Sequence, residues 1–196
     1  FPHFILFLIV DCYLDSDCSK PVGNPCGAFQ HAEISWRYIG QIGAVVQYLK
    51  DNVQKGDVVI NMGASDVYKI SQMLLLVAKL GKSRVTFNEP MASHTTFRIG
   101  GPADLFYEVE RKNEIIKVVK LCRELQVPYF VLGGGSNILV SDKGIRGMVI
   151  KTVNSKWKIV NSKIIVEAGM SLAKLIKEVA RKGLGGLEIC AGIPGT

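Results

Sequence analysis

From Ile42 onward the apolar positions repeat with a helical period. Ile42, Val45, Val46, Leu49 and Val53 recur at i, i+3, i+4, i+7 and i+11, and so predict one buried helix face. Lys55-Gly56 closes it, with Gly56 suited to a left-handed cap. DVVINM then reads as a short buried strand and GASD as a turn, with Asp66 as the cap of a second helix. That helix carries Val67, Ile70, Leu74, Val77 and Leu80 on one face. Helix, strand, turn and helix make half of an open α/β sheet. The opening FPHFILFLIV reads as a buried strand. It is too short to span a bilayer and lacks the basic region and cleavage site of a signal peptide. The rest of residues 1–35 has no clear period.

Residues 81–94, GKSRVTFNEPMASH, mix turn residues with charge, and Pro90 argues against regular structure there. This predicts two domains, 1–84 and 94–196, joined by a linker at 85–93. The second half has a different rhythm. LFYEVE follows a glycine turn as a strand. Asn113 is placed to cap a helix with Ile115, Ile116, Val119, Leu121 and Cys122 in or near its buried stripe, ending before Pro128. PYFVLGG reads as a strand and ILVSD as a further extended piece. MVIKTV, WKIVNSK and IIVEAG read as a meander of short strands. Residues 171–182, SLAKLIKEVARK, form an amphipathic helix, capped by Ser171 and stopped by Gly183.

Composition changes this picture little. At 48% apolar residues the chain can pack a core, and its formal charge of +7 favours an anionic ligand. The basic residues are scattered and no aromatics interleave with them, so a nucleic-acid surface is not expected. Five cysteines without a C-x-x-C pair argue against zinc, and no metal site is expected. Cys122 and Cys190 read as buried, reduced thiols, which points to a cytoplasmic setting.

Candidate chemistry lies in VLGGGSNILVSD, residues 131–142. A simple turn needs one or two glycines. Three bare backbones followed by Ser136 and Asn137 suit phosphate oxygens, which converging N–H groups can bind. The motif is not a dinucleotide fingerprint, because Ile138 stands where the third glycine would be. It is not a P-loop, because no G-K-[ST] follows. A second small-residue turn, EICAGIPGT at 188–196, makes a ligand shared by the two turns the natural reading, although each also reads as a plain connecting loop.

HTTFRIGGPADLF (94–106), VLGGGSNILVSDKGIRGMVI (131–150), VEAGMSLAKLI (166–176) and GLGGLEICAGIPGT (183–196) stand in an order and spacing that resemble the first half of the UDP-N-acetylenolpyruvoylglucosamine reductase family. The resemblance implies a vanillyl-alcohol-oxidase-type FAD-binding domain. It places Gly133, Gly134, Gly135, Ser136 and Asn137, with Ile138 beside them, on the FAD pyrophosphate. It lays Ala191, Gly192, Ile193, Pro194, Gly195 and Thr196 along the flavin, and puts Thr96 and Arg98 near the cofactor. It further implies NADPH as hydride donor, a UDP-sugar substrate and a role in peptidoglycan synthesis. The family's catalytic arginine, serine and glutamate are expected beyond Thr196. No catalytic residue is therefore assigned within the chain: Ser136 reads as a phosphate contact, Glu188 as a turn residue and His94 as structural.

YLKDNVQKGDVVINMGASDVYKI (48–70) resembles the carboxyl-terminal end of the UDP-N-acetylmuramate–L-alanine ligase family, with Ser65 a departure from its usual turn. This implies a ligase–reductase fusion without the ligase's ATP-binding loop. Two alternatives stand beside it. One is an FAD-dependent oxidase of the same fold, although residues 131–142 hold no His or Cys to tether the flavin. The other is a truncated fragment without activity. Oligomeric state is not legible.

Overall fold

The computed structural model describes residues 4–8, 42–54, 58–62, 68–161 and 163–196. The expectations for the Gly56 cap, the GASD turn with Asp66 and Val67 on the second helix lie outside these residues. The chain divides into two compact units, Phe1–Leu74 and Leu75–Thr196.

In the first unit, β1 (Phe4–Leu8) runs parallel to β2 (Val58–Met62), with Phe4 opposite Val58 and Leu8 opposite Met62. Between them comes α1 (Ile42–Asn52), which buries Gly43, Val45, Val46 and Leu49. The predicted stripe is thus observed, with Ile42 and Val53 half-buried at its ends. The next helix, α2 (Tyr68–Leu80), contains the division between the units. It buries Ile70, Met73, Leu76, Val77 and Leu80, while Leu74 is half-buried. The predicted stripe is corrected at Leu74. In MLLL, residues 73–76, every position is apolar, so the period alone cannot choose which side chains turn inward.

The second unit is built on a mixed sheet, β3 (Thr86–Pro90), β4 (Pro102–Val109), β6 (Ile145–Thr152) and β5 (Tyr129–Leu132), in that spatial order. Here β3 is antiparallel to β4, whereas β4, β6 and β5 are mutually parallel. Residues 81–94 were expected to lack regular structure, and β3 corrects that. Pro90 is the last residue of an edge strand, opposite Pro102, where a missing N–H breaks no ladder. Parallel neighbours need a crossover, and α3 (Lys112–Glu124) supplies it between β4 and β5.

Arg111, not Asn113, occupies the cap of α3. The Glu114 carboxylate accepts the N–H groups of Glu110 and Arg111 at 3.1 and 3.3 Å, which satisfies donors the helix itself leaves open. The buried positions are Val118 and Cys122, whereas Ile116 is exposed. Val118 was missed because Ile115, Ile116, Val118 and Val119 offer two overlapping stripes. Cys122 lies 4.0 Å from the Met148 sulfur, and burial pushes its thiol up to about 11. It is protonated at neutral pH and serves as a small apolar side chain. Cys190, expected to be buried as well, is only half-buried, in the short turn Glu188–Cys190.

The expected meander is corrected as well. MVIKTV belongs to β6, in the middle of the large sheet. Only β7 (Trp157–Val160) and β8 (Lys163–Val166) form an antiparallel pair. They lead to α4 (Leu172–Arg181), which follows Ser171 at the cap as predicted. Gly183 stands at φ +72 just past its end, where a left-handed residue ends a helix well. Leu175 and Val179 bury with Met170 against Trp157, Ile164 and Leu187. No helix of the described residues is long and apolar enough to cross a membrane.

Candidate cofactor site

The parallel strand β5 ends at the buried Leu132, whose carbonyl accepts the Thr152 hydroxyl at 3.3 Å. The chain leaves the sheet there as Gly133-Gly134-Gly135-Ser136-Asn137. Ligands of open α/β sheets characteristically bind at such carboxyl ends.

Each of the first three glycines has its own steric reason. A Cβ on Gly133 would strike the Thr196 hydroxyl, and one on Gly134 would come within 2.9 Å of the Thr196 methyl. Gly135 stands at φ +69 and is backed by the His94 carbonyl, which a Cβ would overlap. The bareness of the loop thus first of all lets two other segments pack onto it.

Those segments were both predicted. AGIPGT, residues 191–196, folds back so that the Gly134 N–H donates to Thr196 Oγ1 at 3.3 Å and the Asn137 amide donates to the Pro194 carbonyl at 3.1 Å. From the other side, the Thr96 N–H donates to the Gly135 carbonyl at 3.0 Å and its hydroxyl to Ser136 Oγ at 3.4 Å. Among the described residues, the N–H groups of Gly135, Ser136 and Asn137 have no protein acceptor.

Between the two turns lies a cleft of about 320 Å³, lined by Gly134, Ser136, Ser171, Ala173, Ile193, Pro194, Gly195 and Thr196. Ser171 and Ala173 were not foreseen as lining residues. They belong to the first turn of α4, which the Leu172 N–H ties to the Gly195 carbonyl at 3.0 Å. A helix N-terminus carries partial positive charge, so the cleft favours an anion on this side too. The only sequence signal for them was the Ser171 cap.

Other predicted positions fall outside the cleft. Ile138 packs its side chain against the core of Met91, Leu132, Val140 and their neighbours, which leaves only its backbone for a ligand. Arg98 stands at φ +54 in the exposed turn after Thr95 and makes no side-chain hydrogen bond to the glycine loop. Ala191 and Gly192 begin the second turn without lining the cleft. Glu188, fully exposed, turns its carboxylate onto local backbone. Hydrogen bonds from its own N–H and from the Gly186 N–H hold it below the usual carboxylate range. Its reading as a turn residue is consistent with this. No group of three or more His, Cys, Asp or Glu able to hold a metal occurs among the described residues.

Residues 103–196 match the family model described as an FAD binding domain. The matched segment lies within the second unit and includes three of the four strands of its mixed sheet. Within that class the likeness is to UDP-N-acetylenolpyruvoylglucosamine reductases. The chain is 41% identical over 130 residues to the one from Alkaliphilus oremlandii, covering 65% of this chain and 43% of that protein. It is 47% identical over 119 residues to the one from Syntrophomonas wolfei, covering 60% and 40%. A crystal structure of the Thermus caldophilus reductase aligns with 35% identity and a TM-score of 0.42, over 57% of this chain and 38% of that one. The chain spans about two fifths of the length of the curated relatives it matches.

Proposed function

We propose that the second unit holds the FAD pyrophosphate between the Gly133–Asn137 loop and the Ile193–Thr196 turn, as part of an enzyme that uses NADPH to reduce UDP-N-acetylglucosamine enolpyruvate to UDP-N-acetylmuramate for peptidoglycan. A cytoplasmic setting and a UDP-sugar substrate belong to the same proposal. The observation that carries it is the meeting of the two small-residue turns around one cleft. Backbone N–H groups and the start of α4 can neutralise phosphate there, and side chains are excluded by close packing. Ser136 lines it with a hydroxyl, and the Asn137 amide holds the Pro194 carbonyl behind it. When bound, FAD would supply the hydride-accepting and hydride-donating chemistry. The chain's own residues bind it, orient it and keep bulk away from its phosphates.

Gly134→Val tests the pyrophosphate assignment. The position has no left-handed requirement, and its one close neighbour is the end of a side chain, so the fold should survive. A branched side chain there narrows the cleft, and we expect at least a tenfold rise in the Kd for FAD, read by quenching of flavin fluorescence. Unchanged affinity in a variant with unchanged circular dichroism would remove the assignment.

Turnover is a separate matter. By the resemblance, the proton donor and the groups that stabilise developing charge have no counterpart in residues 1–196. A positioned acid is worth about 10²–10⁴-fold and each oxyanion donor about 10²–10³-fold. A polypeptide of these residues should therefore bind flavin and leave NADPH absorbance unchanged when the enolpyruvyl substrate is added. Substrate-dependent NADPH loss would show that residues within 1–196 carry the catalysis.

For the first unit we propose a relation to the carboxyl-terminal end of the UDP-N-acetylmuramate–L-alanine ligases. The parallel pair β1–β2 with α1 between them supports it. ATP-dependent ligation should be absent, because a phosphate loop with its lysine stabilises phosphoryl transfer, and the chain's one G-K-S, Gly81-Lys82-Ser83, follows a helix and has Leu76 where that loop's first glycine would stand. Phosphate release that depends on both UDP-N-acetylmuramate and L-alanine would contradict this.

A further inference from the structure

His94 lies outside the cleft, yet the turn that carries it bears on the glycine loop. Its ring stacks on Phe106 of β4 with centroids 4.3 Å apart. Nε2 lies 2.8 Å from Glu89 Oε1 on β3, and Nδ1 lies 2.9 Å from Lys151 Nζ on β6. An ammonium can only donate, so Nδ1 must accept. Nε2 then carries the proton and donates it to Glu89, which fixes one neutral tautomer. The remaining charged group nearby is Glu108 of β4, 4.0 Å from the Lys151 ammonium and half exposed. On its backbone side, the His94 carbonyl backs Gly135, and two residues on, Thr96 holds the Gly135 carbonyl and faces Ser136.

We propose that His94 is a proton-sensitive positioning residue for the glycine loop. Neutral, it ties β3 to β6 and holds the 91–96 turn firmly behind Gly135. Protonated, it presents a second N–H to the Lys151 ammonium, and that hydrogen bond cannot form whatever Glu89 does. Lys151 then has Glu108 to turn to, and the 91–96 turn loses its tie to the central strand. The consequence is a loop that grips less well once His94 is protonated. The ligand in this statement rests on the flavin reading, but the conformational part does not.

The experiment has two arms on the whole chain. In the first, without flavin, ¹⁵N shifts of His94 report its protonation state as the pH is lowered from about 8 to 5. Exchange protection of the Thr96 amide, corrected for intrinsic rate, is followed over the same range. Protection should fall at least fivefold in step with His94 protonation. In His94→Gln, which cannot take up a proton, and in Lys151→Met, which lacks the competing donor, the step should vanish. Thr96 protection that ignores His94 protonation, or a step of equal size in both variants, would overturn the proposal. In the second arm the Kd for FAD should rise severalfold over the same pH interval in the unmodified chain and not in His94→Gln. Absence of flavin binding at pH 8 would count against the flavin reading alone, since the amide arm still decides the proposal. Binding with no pH step would count against His94.

Discussion

Gly135→Ala should abolish flavin binding and destabilise the second unit by about 3 kcal/mol, more than any other single methyl added to the glycine loop. Two effects combine. Gly135 stands at φ +69, a conformation that costs a residue with Cβ about 1–2 kcal/mol. In addition the new methyl lands on the His94 carbonyl, which is backbone and cannot rotate away. Either the 91–96 turn retreats or the loop flips, and both break the Thr96 N–H bond to the Gly135 carbonyl. Gly183 is the control. It has nearly the same backbone at φ +72, but nothing lies within 4 Å of its would-be Cβ. Gly183→Ala should cost only the conformational part, about 1 kcal/mol, and leave flavin in place. Urea unfolding and flavin fluorescence on the two variants separate the terms. If Gly135→Ala is no more costly than Gly183→Ala, the packing of the loop on His94 is not what demands glycine.

This contrast also marks how far the sequence could be read. That three glycines needed an explanation was visible, and so was the pairing of GGGSN with AGIPGT. The expected reason was approach to phosphate. The structure adds a prior one, contact with Thr196 and with the His94 carbonyl, which lie roughly 60 and 40 residues away along the chain and leave no local trace. A helix whose apolar residues fell into one register, such as α1, was read nearly residue by residue. Where apolar residues crowd, as in Met73–Leu76 or Ile115–Val119, several stripes fit and the buried one is chosen by packing. Strand β3 was hidden by Pro90, a residue that excludes a central strand but not the end of an edge strand. The order of the large sheet, with β6 between β4 and β5, is set by pairing across more than forty residues, which periodicity does not encode.

Asp104 was passed over for the same reason, and it yields the second large expected effect. It lies in PADLFYEV, where a single carboxylate interrupts buried apolar positions, and that interruption was the available signal. Its side chain is 1% exposed, against 51% for its partner Arg146, whose Nη1 lies 2.6 Å from Oδ1. Its other oxygen accepts the buried Gly147 N–H at 2.8 Å. The pair spans the place where the register between β4 and β6 shifts, beside Gly147 at φ +99. The two partners should not be equally costly to remove. Arg146→Met takes a charge partner from a carboxylate held out of water, a loss of about 4 kcal/mol. Asp104→Asn keeps an oxygen for the Gly147 N–H and leaves a guanidinium that water can reach. That guanidinium still donates to the carbonyls of Pro102 and Lys143. The cost there should be about 1–2 kcal/mol. The double variant Asp104→Asn/Arg146→Met removes the buried charge and should therefore be more stable than Arg146→Met alone, a coupling that urea unfolding of the four proteins measures directly. A double variant as unstable as the sum of the singles would mean that Arg146 contributes by covering the sheet with its methylene stem. In that case the ion pair would not be what holds β4 and β6 in register beneath the cofactor loop.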